Sequence, residues 1–261
     1  PKLRRYLLNE WNVKNVEEVI NCTNLIKGLK SIYNHQVYED LINTAILPKL
    51  TNAVSSWSPT TDRTTIDSWI LPWKKIIGTP LTSLFPEIRR KITKALTQWD
   101  PLDHSAYYVI KPWNKVFDST SMENLLVRNI IPKLVTAMRM QSVEPNGQST
   151  SYFTSILLWS DIIPKQHILA IIEGEFFPKW FQVLSHWLGS DDPDYSDIST
   201  WYTNWKSSFP DSLLQEQMII EYFNMALDMM STALSNPTLK HFPIPQKLNN
   251  GQNNYFQIIQ N

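Results

Sequence analysis

Apolar residues recur along this chain at three- and four-residue steps, interrupted by short polar loops, which is the spacing of one face of an α-helix. Leu41, Ile42, Ala45, Ile46, Leu50, Ala53, Val54 and Trp57 form one such stripe. Leu84, Ile88, Ile92, Ala95, Leu96 and Trp99 form another, and placing Trp99 on Trp57 also places Ala95 on Ala53 and Ile92 on Leu50. Polar breaks at 58–65, 100–103, 144–149 and 189–194 then separate two helices in each of four successive pairs. An opening helix is expected over 16–30, with Glu17 and Glu18 in its first turn. A closing helix over 212–235 carries Ile219, Phe223, Ala226, Leu227 and Met230 on one face.

Two markers return in step with the pairs. Trp73, Trp113, Trp159 and Trp205 stand 40, 46 and 46 residues apart, each followed by polar or small positions and then an apolar one. An apolar-apolar-Pro-Lys-apolar pattern recurs around Pro48, Pro132 and Pro178, with a weaker copy at Leu84–Ile88. A period of about 40 to 47 residues with helical punctuation predicts an all-α fold of stacked helix pairs, an α-solenoid of the HEAT or armadillo kind. The units run about 37–77, 81–117, 121–163 and 165–209, closed by 212–235, together a repeat domain over 37–235. Residues 1–36 form a leading segment with one helix, and 236–261 an Asn-, Gln- and Pro-rich irregular tail. Pro48, inside its stripe, is expected to kink or break the helix. The four tryptophans are expected to pack between repeats as core.

Composition agrees with helices and narrows the chemistry. Apolar residues make up 43% and aromatics 12%, enough for a continuous core, while only 6 glycines disfavour phosphate-cradling loops. The single cysteine, Cys22, forms no internal disulfide and no cysteine-based zinc site, which suits a reducing compartment. No apolar run reaches the roughly 18 residues that a membrane crossing needs. Opening on Pro1 rather than Met, the sequence reads as part of something longer. Formal net charge is zero, but residues 1–140 hold 19 Lys and Arg against 12 Asp and Glu, and residues 141–261 hold 5 against 12. That +7 and −7 division could steer unlike partners to the two halves.

No catalytic constellation emerges, and the chain is expected not to be an enzyme and to need no cofactor or metal. His35, His104, His167, His186 and His241 lack metal-ligand spacing, and no HExxH occurs. Asp103-His104-Ser105 is contiguous, whereas triads assemble in space, so Asp103 or Ser105 reads as a helix cap. Glu173 and Glu175 flank Gly174, but positions i and i+2 on a helix point apart; one carboxylate is expected to be solvated and the other to lie near the next unit. The better candidates are cationic. Lys74, Lys75, Arg89, Arg90, Lys91, Lys94, Lys111 and Lys115, with Arg128 and Lys133, would make a positive stripe if the units stack in order. An ordinary solvated helix face is the competing reading.

Several segments carry a family resemblance: Trp69–Trp73 (WILPW), Leu96–Asp103 (LTQWDPLD), Lys111–Phe117 (KPWNKVF), Asn129–Leu134 (NIIPKL), Phe176–Trp180 (FFPKW), Trp201–Lys206 (WYTNWK) and Ala226–Met230 (ALDMM). Over about 37–235 the chain resembles the C-terminal region of the tuftelin-interacting protein 11 family, within the GC-rich-factor-like (GCFC) domain class. The resemblance implies a nuclear pre-mRNA splicing factor that helps take apart the intron-lariat spliceosome. In that family an upstream G-patch activates a DEAH-box helicase; no G-patch glycine pattern occurs here, so that partner is not expected of this chain. What the resemblance leaves is a docking scaffold for spliceosomal proteins, among them a second GCFC-type protein, with no catalytic residues and no membrane. The class name carries a DNA-binding role, which a neutral chain without a recognition motif supports poorly. RNA binding along the basic stripe is the alternative.

Overall fold

The computed structural model describes residues 2–146 and 149–245, and every regular element among them is helical. The leading segment holds two helices rather than one: α1 (Lys2–Asn9) and α2 (Val16–Leu29). Composition hid α1, whose basic sequence has one fully buried side chain, Leu7. Asn15 starts α2 by accepting hydrogen bonds from the Glu17 and Glu18 amides. Then come α3 (His35–Leu41), α4 (Leu47–Ser56), α5 (Ile66–Ile70), α6 (Lys74–Ile77), α7 (Phe85–Leu96), α8 (Ser105–Ile110) and α9 (Ser119–Leu125). The second half follows with α10 (Ile131–Met140), α11 (Ser151–Leu157), α12 (Lys165–Ile171), α13 (Phe177–Leu188), α14 (Tyr195–Ser207), α15 (Asp211–Leu214) and α16 (Gln217–Ser235). The closing helix expected over 212–235 is thus two, separated at Gln215 and Glu216.

Pro48 neither breaks nor ends its helix. Ile42–Ile46, Leu126–Ile130 and Ile172–Phe176 form single π-helical turns, each directly before the apolar residue that precedes Pro48, Pro132 or Pro178. The amide of Leu47 reaches back five residues to the Ile42 carbonyl, and that of Phe177 to Ile172. The wider turn takes the proline ring past the carbonyl it would otherwise strike. Thr44 and Asn129 donate from their side chains to the Asp40 and Leu125 carbonyls, at 2.6 and 2.9 Å. The weaker copy at Pro86 follows a 3₁₀ stretch, Thr79–Leu84, instead.

The buried positions explain why the widened turns persist. Tyr38, Ile42, Ile46, Leu50 and Val54 are all buried at a strict four-residue step, as are Met122, Leu126, Ile130, Leu134 and Met138. So are Ile168, Ile172, Phe176, Trp180, Leu184 and Leu188. On an undistorted α-helix each four-residue step drifts by about 40° around the axis, so a run of five would wander off its face. One widened turn brings the run back.

The chain divides into two compact units. One comprises the residues up to Trp99 with Asp103–Asn129, the other Asp100–Leu102 with the chain from Ile130 onward. Within the first, Trp73 lies 5.5 Å from Trp11, and Trp113 packs against Phe85 and Phe117 at 5.7 and 4.8 Å. Within the second, Trp205 meets Phe153 and Phe176 at 5.6 and 4.8 Å, and Phe177 joins Tyr222 and Phe223. Trp73, Trp113, Trp159 and Trp205 are all fully buried. The indole N–H groups of Trp73, Trp113 and Trp205 meet no hydrogen-bond acceptor, so these rings act through packing. Of the expected closing face, Ile219, Phe223 and Ala226 are buried, whereas Leu227 is 44% exposed. Residues 236–245 carry no helix but are not loose: Phe242 is buried and its carbonyl accepts from the Ser185 hydroxyl at 2.6 Å. The rest of the tail reading, 246–261, lies outside the described residues.

Candidate interaction surface

The predicted basic stripe does not survive as one array of free charges. Arg90 forms a two-pronged pair with Glu87, Nε and Nη2 each 2.7 Å from a carboxylate oxygen, and this holds the Glu87 carboxyl below its ordinary pKa. Lys91 reaches back to α4 and donates to the carbonyls of Ser55 and Trp57 at 2.7 and 2.6 Å, closing the C-terminus of that helix. The Arg89 guanidinium sits 5.2 Å from the Phe117 ring. Lys111 donates to the Tyr107 hydroxyl at 2.6 Å. Lys74, Lys75, Lys94 and Lys115 are exposed. Sequence spacing could not separate these groups, because carbonyls and ring faces at a helix end leave no pattern of their own.

The cluster does, however, border a concavity of the first unit. A groove of about 660 Å³ runs between α7, α8 and the loop after α4. Trp57, Ile92, Leu96, Trp99 and Ile110 make an apolar floor, and Arg90, Lys91 and Lys94 stand along it. The loop walls are tied down locally. Asp62 accepts from the Ser58 amide at 3.0 Å and from Lys14 Nζ at 2.8 Å, and these bonds, the lysine's above all, lower its carboxyl pKa. The Trp99 indole donates to the Asp103 carbonyl at 2.6 Å. Asp103 accepts from the amide and hydroxyl of Ser105 at 2.9 and 2.8 Å, a local clasp at the start of α8. Such a groove can take apolar side chains while the exposed Lys94 beside it meets a flanking carboxylate.

The remaining candidates also resolve into structural roles. Glu175 is only 10% exposed and holds Arg139 through two bonds, at 2.9 and 2.6 Å. Glu173 accepts from the Tyr222 hydroxyl at 2.8 Å. Neither carboxylate is merely solvated, which corrects the expectation for one of them: the π turn sends them to α10 and α16 respectively. Burial first, then Glu173, drives the Tyr222 pKa well above the phenol range. Burial lifts the pKa of the Cys22 thiol to about 11. Among the described residues no group of His, Cys, Asp and Glu could hold a metal ion. No helix among them is long and apolar enough to cross a membrane.

Comparison with known proteins places this architecture. The GCFC profile, described as GC-rich sequence DNA-binding factor-like protein, matches residues 1–184. The chain belongs to the GCFC family. A septin and tuftelin-interacting protein 1 homolog of Dictyostelium discoideum is 33% identical over 95% of the chain. Tuftelin-interacting protein 11 of Xenopus tropicalis is 36% identical over 90%, and that of Gallus gallus 35% over 89%. This GCFC chain spans 32%, 28% and 28% of the length of those three relatives. Its groove and the three π turns described above lie within the span the GCFC profile matches, whereas Trp205, Tyr222 and Phe223 of the second aromatic block lie beyond it.

Proposed function

We propose that this GCFC chain is a non-catalytic docking module of a nuclear pre-mRNA splicing factor, working in disassembly of the intron-lariat spliceosome. In this reading its helix pairs stack as repeats and present a surface to spliceosomal proteins, a second GCFC-type protein among them. The DEAH-box helicase belongs to an upstream G-patch that these residues do not carry. The observation that carries the proposal is the groove beside α7, apolar along its floor and cationic along its side. Its occupant is a partner segment with apolar anchors flanked by carboxylates, since buried anchors supply affinity and the flanking charges set orientation and rate. The homology to tuftelin-interacting protein 11 supports the splicing context.

The test is recovery of proteins and RNA from nuclear extract on this chain, at low and moderate salt. Ala95 and Val109 border the groove and are only half-buried, so Ala95→Glu with Val109→Glu adds charge there without emptying the core. Late-spliceosome proteins are expected to stay on the parent chain at moderate salt and to be lost from this variant. Equal recovery on a folded variant would rule the groove out.

RNA binding is the second reading, and it rests on Lys74, Lys75, Lys94 and Lys115, four exposed members of the stripe. It predicts RNA recovery that falls steeply as salt rises, and that vanishes when these four are changed to Glu. Arg90 and Lys91 are the wrong residues for that test, because changing them removes an ion pair and a helix cap.

A further inference from the structure

The second compact unit contains a smaller cavity, of about 400 Å³, formed by one face of α14 together with Trp187 of α13 and Pro145. From this cavity we infer that the unit has a binding site for an arginine side chain of a partner polypeptide. The inference does not depend on the groove of the first unit.

Three features define the ligand. First, the walls are aromatic and set at an angle. The Trp187 and Trp201 ring centroids are 6.1 Å apart with planes at 77°. Trp201 is fixed: it stacks on Trp180 at 5.1 Å and 10°, and its indole donates to the Glu144 carbonyl at 2.8 Å. Trp187, half-buried, supplies the accessible ring. Second, the polar lining is rich in acceptors. Asp197, Thr200, Trp201, Asn204 and Ser208 share one helical face by their spacing of three and four. The hydroxyls of Thr200 and Ser208 spend their hydrogens on the carbonyls of Ser196 and Asn204, both at 2.9 Å, so their oxygens offer the cavity lone pairs. Third, Asp197 contributes an exposed carboxylate that forms no salt bridge among the described residues. The unit around it bears 7 Lys and Arg against 13 Asp and Glu, a balance of −6.

An apolar ring beside a carboxylate, with hydroxyl acceptors around them, favours a cation over an anion, and the amides of Asn146 and Asn204 complete the lining. Among side-chain cations the guanidinium fits best. It is planar, so it lies on the indole face, and its N–H groups point outward in that plane toward Asp197 and the hydroxyl oxygens. An ammonium, strongly hydrated and tetrahedral, satisfies only one of those demands at a time.

The experiment titrates the whole chain with N-acetylarginine methylamide and follows the tryptophan indole resonances in a nitrogen–proton correlation spectrum. A Trp187→Phe variant assigns the Trp187 signal. The expected result is a saturable shift confined to Trp187 and Trp201. The citrulline analogue, which keeps the shape and lacks the charge, should bind at least about five-fold more weakly, the scale of a partly exposed cation–ring contact. Asp197→Asn, an exposed substitution that leaves the fold intact, should weaken arginine binding by a similar factor. Equal binding of citrulline, an unchanged Asp197→Asn variant, or a response that never saturates would overturn the inference. So would a shift produced by adenosine monophosphate and not by arginine, which would mark a base-stacking site instead.

Discussion

At the scale of the residue, the tryptophans decide most. Trp113 is fully buried between Phe85 and Phe117, and its indole nitrogen has no acceptor. Trp113→Ala should therefore cost about 3–5 kcal/mol in denaturant unfolding, the usual range for emptying a large aromatic site. Trp113→Phe should cost clearly less, because no hydrogen bond is lost with the nitrogen. A Phe variant as unstable as the Ala variant would mean the N–H is partnered after all. Asp62 gives a pH signature. Its carboxyl pKa is depressed in the folded state, chiefly by the Lys14 hydrogen bond, so the folded state holds fewer protons there than the unfolded one. The stability it contributes is present above the ordinary aspartate pKa of about 3.9 and is lost as pH falls through the lower folded value. Asp62→Asn should flatten that acid limb in thermal melts between about pH 5 and pH 2, with little change in the slope nearer neutrality. The burial of Trp113 was legible from its recurrence at matching positions. The Asp62–Lys14 pair was not, since 48 residues separate its partners and Lys14 lies in the leading segment, outside the repeats read from the sequence.

At the scale of the element, helices were readable from periodicity and caps, with α2 expected at 16–30 and found as Val16–Leu29. The π turns were not read, although their signal was present. Tyr38, Ile42, Ile46, Leu50 and Val54 keep a step of four through the buried stripe that also holds Ala45, a period too long for an α-helix. A search tuned to steps of three and four accepts that run as ordinary. The proline and the widened turn are one device, and a cycle of variants can show it. Deleting Thr44 restores ordinary α-helical length and drives the Pro48 ring against the backbone, an expected loss of about 3 kcal/mol. Pro48→Ala alone should cost little, and combined with the deletion it should recover most of the loss. Additive losses in denaturant melts would show that the two features are independent. The two π-turn carboxylates, Glu173 and Glu175, were visible as an oddity in an apolar helix, but their partners were not, because Arg139 and Tyr222 approach from other helices.

At the scale of the whole molecule, the charge division noticed in the sequence follows the compact units closely. The first bears 17 Lys and Arg against 11 Asp and Glu, the second 7 against 13, balances of +6 and −6. The proposed occupants follow those signs, carboxylate-flanked at the groove and cationic at the Trp187 cavity. The lysines that close helix ends have a different consequence, one that concerns cooperativity. Lys179 of α13 donates to the carbonyls of Met138, Arg139 and Gln141 at 2.6, 3.1 and 2.7 Å, and Lys91 of α7 does the same for α4. Each lysine is thus a coupling between two helices remote in sequence, held inside a single compact unit. In the proposed array of helix pairs, where stability would be a sum of unit terms and nearest-neighbour terms, such ties would belong to the neighbour term. Lys179→Met keeps the aliphatic stem and removes the tie. Native-state hydrogen exchange should then show the last turn of α10 opening before the rest of its unit, where in the parent chain they open together. Unfolding of the whole unit in one step in both proteins would assign the cooperativity to the aromatic block alone. A few half-buried amines at helix ends would, on this account, decide how many residues must melt at once.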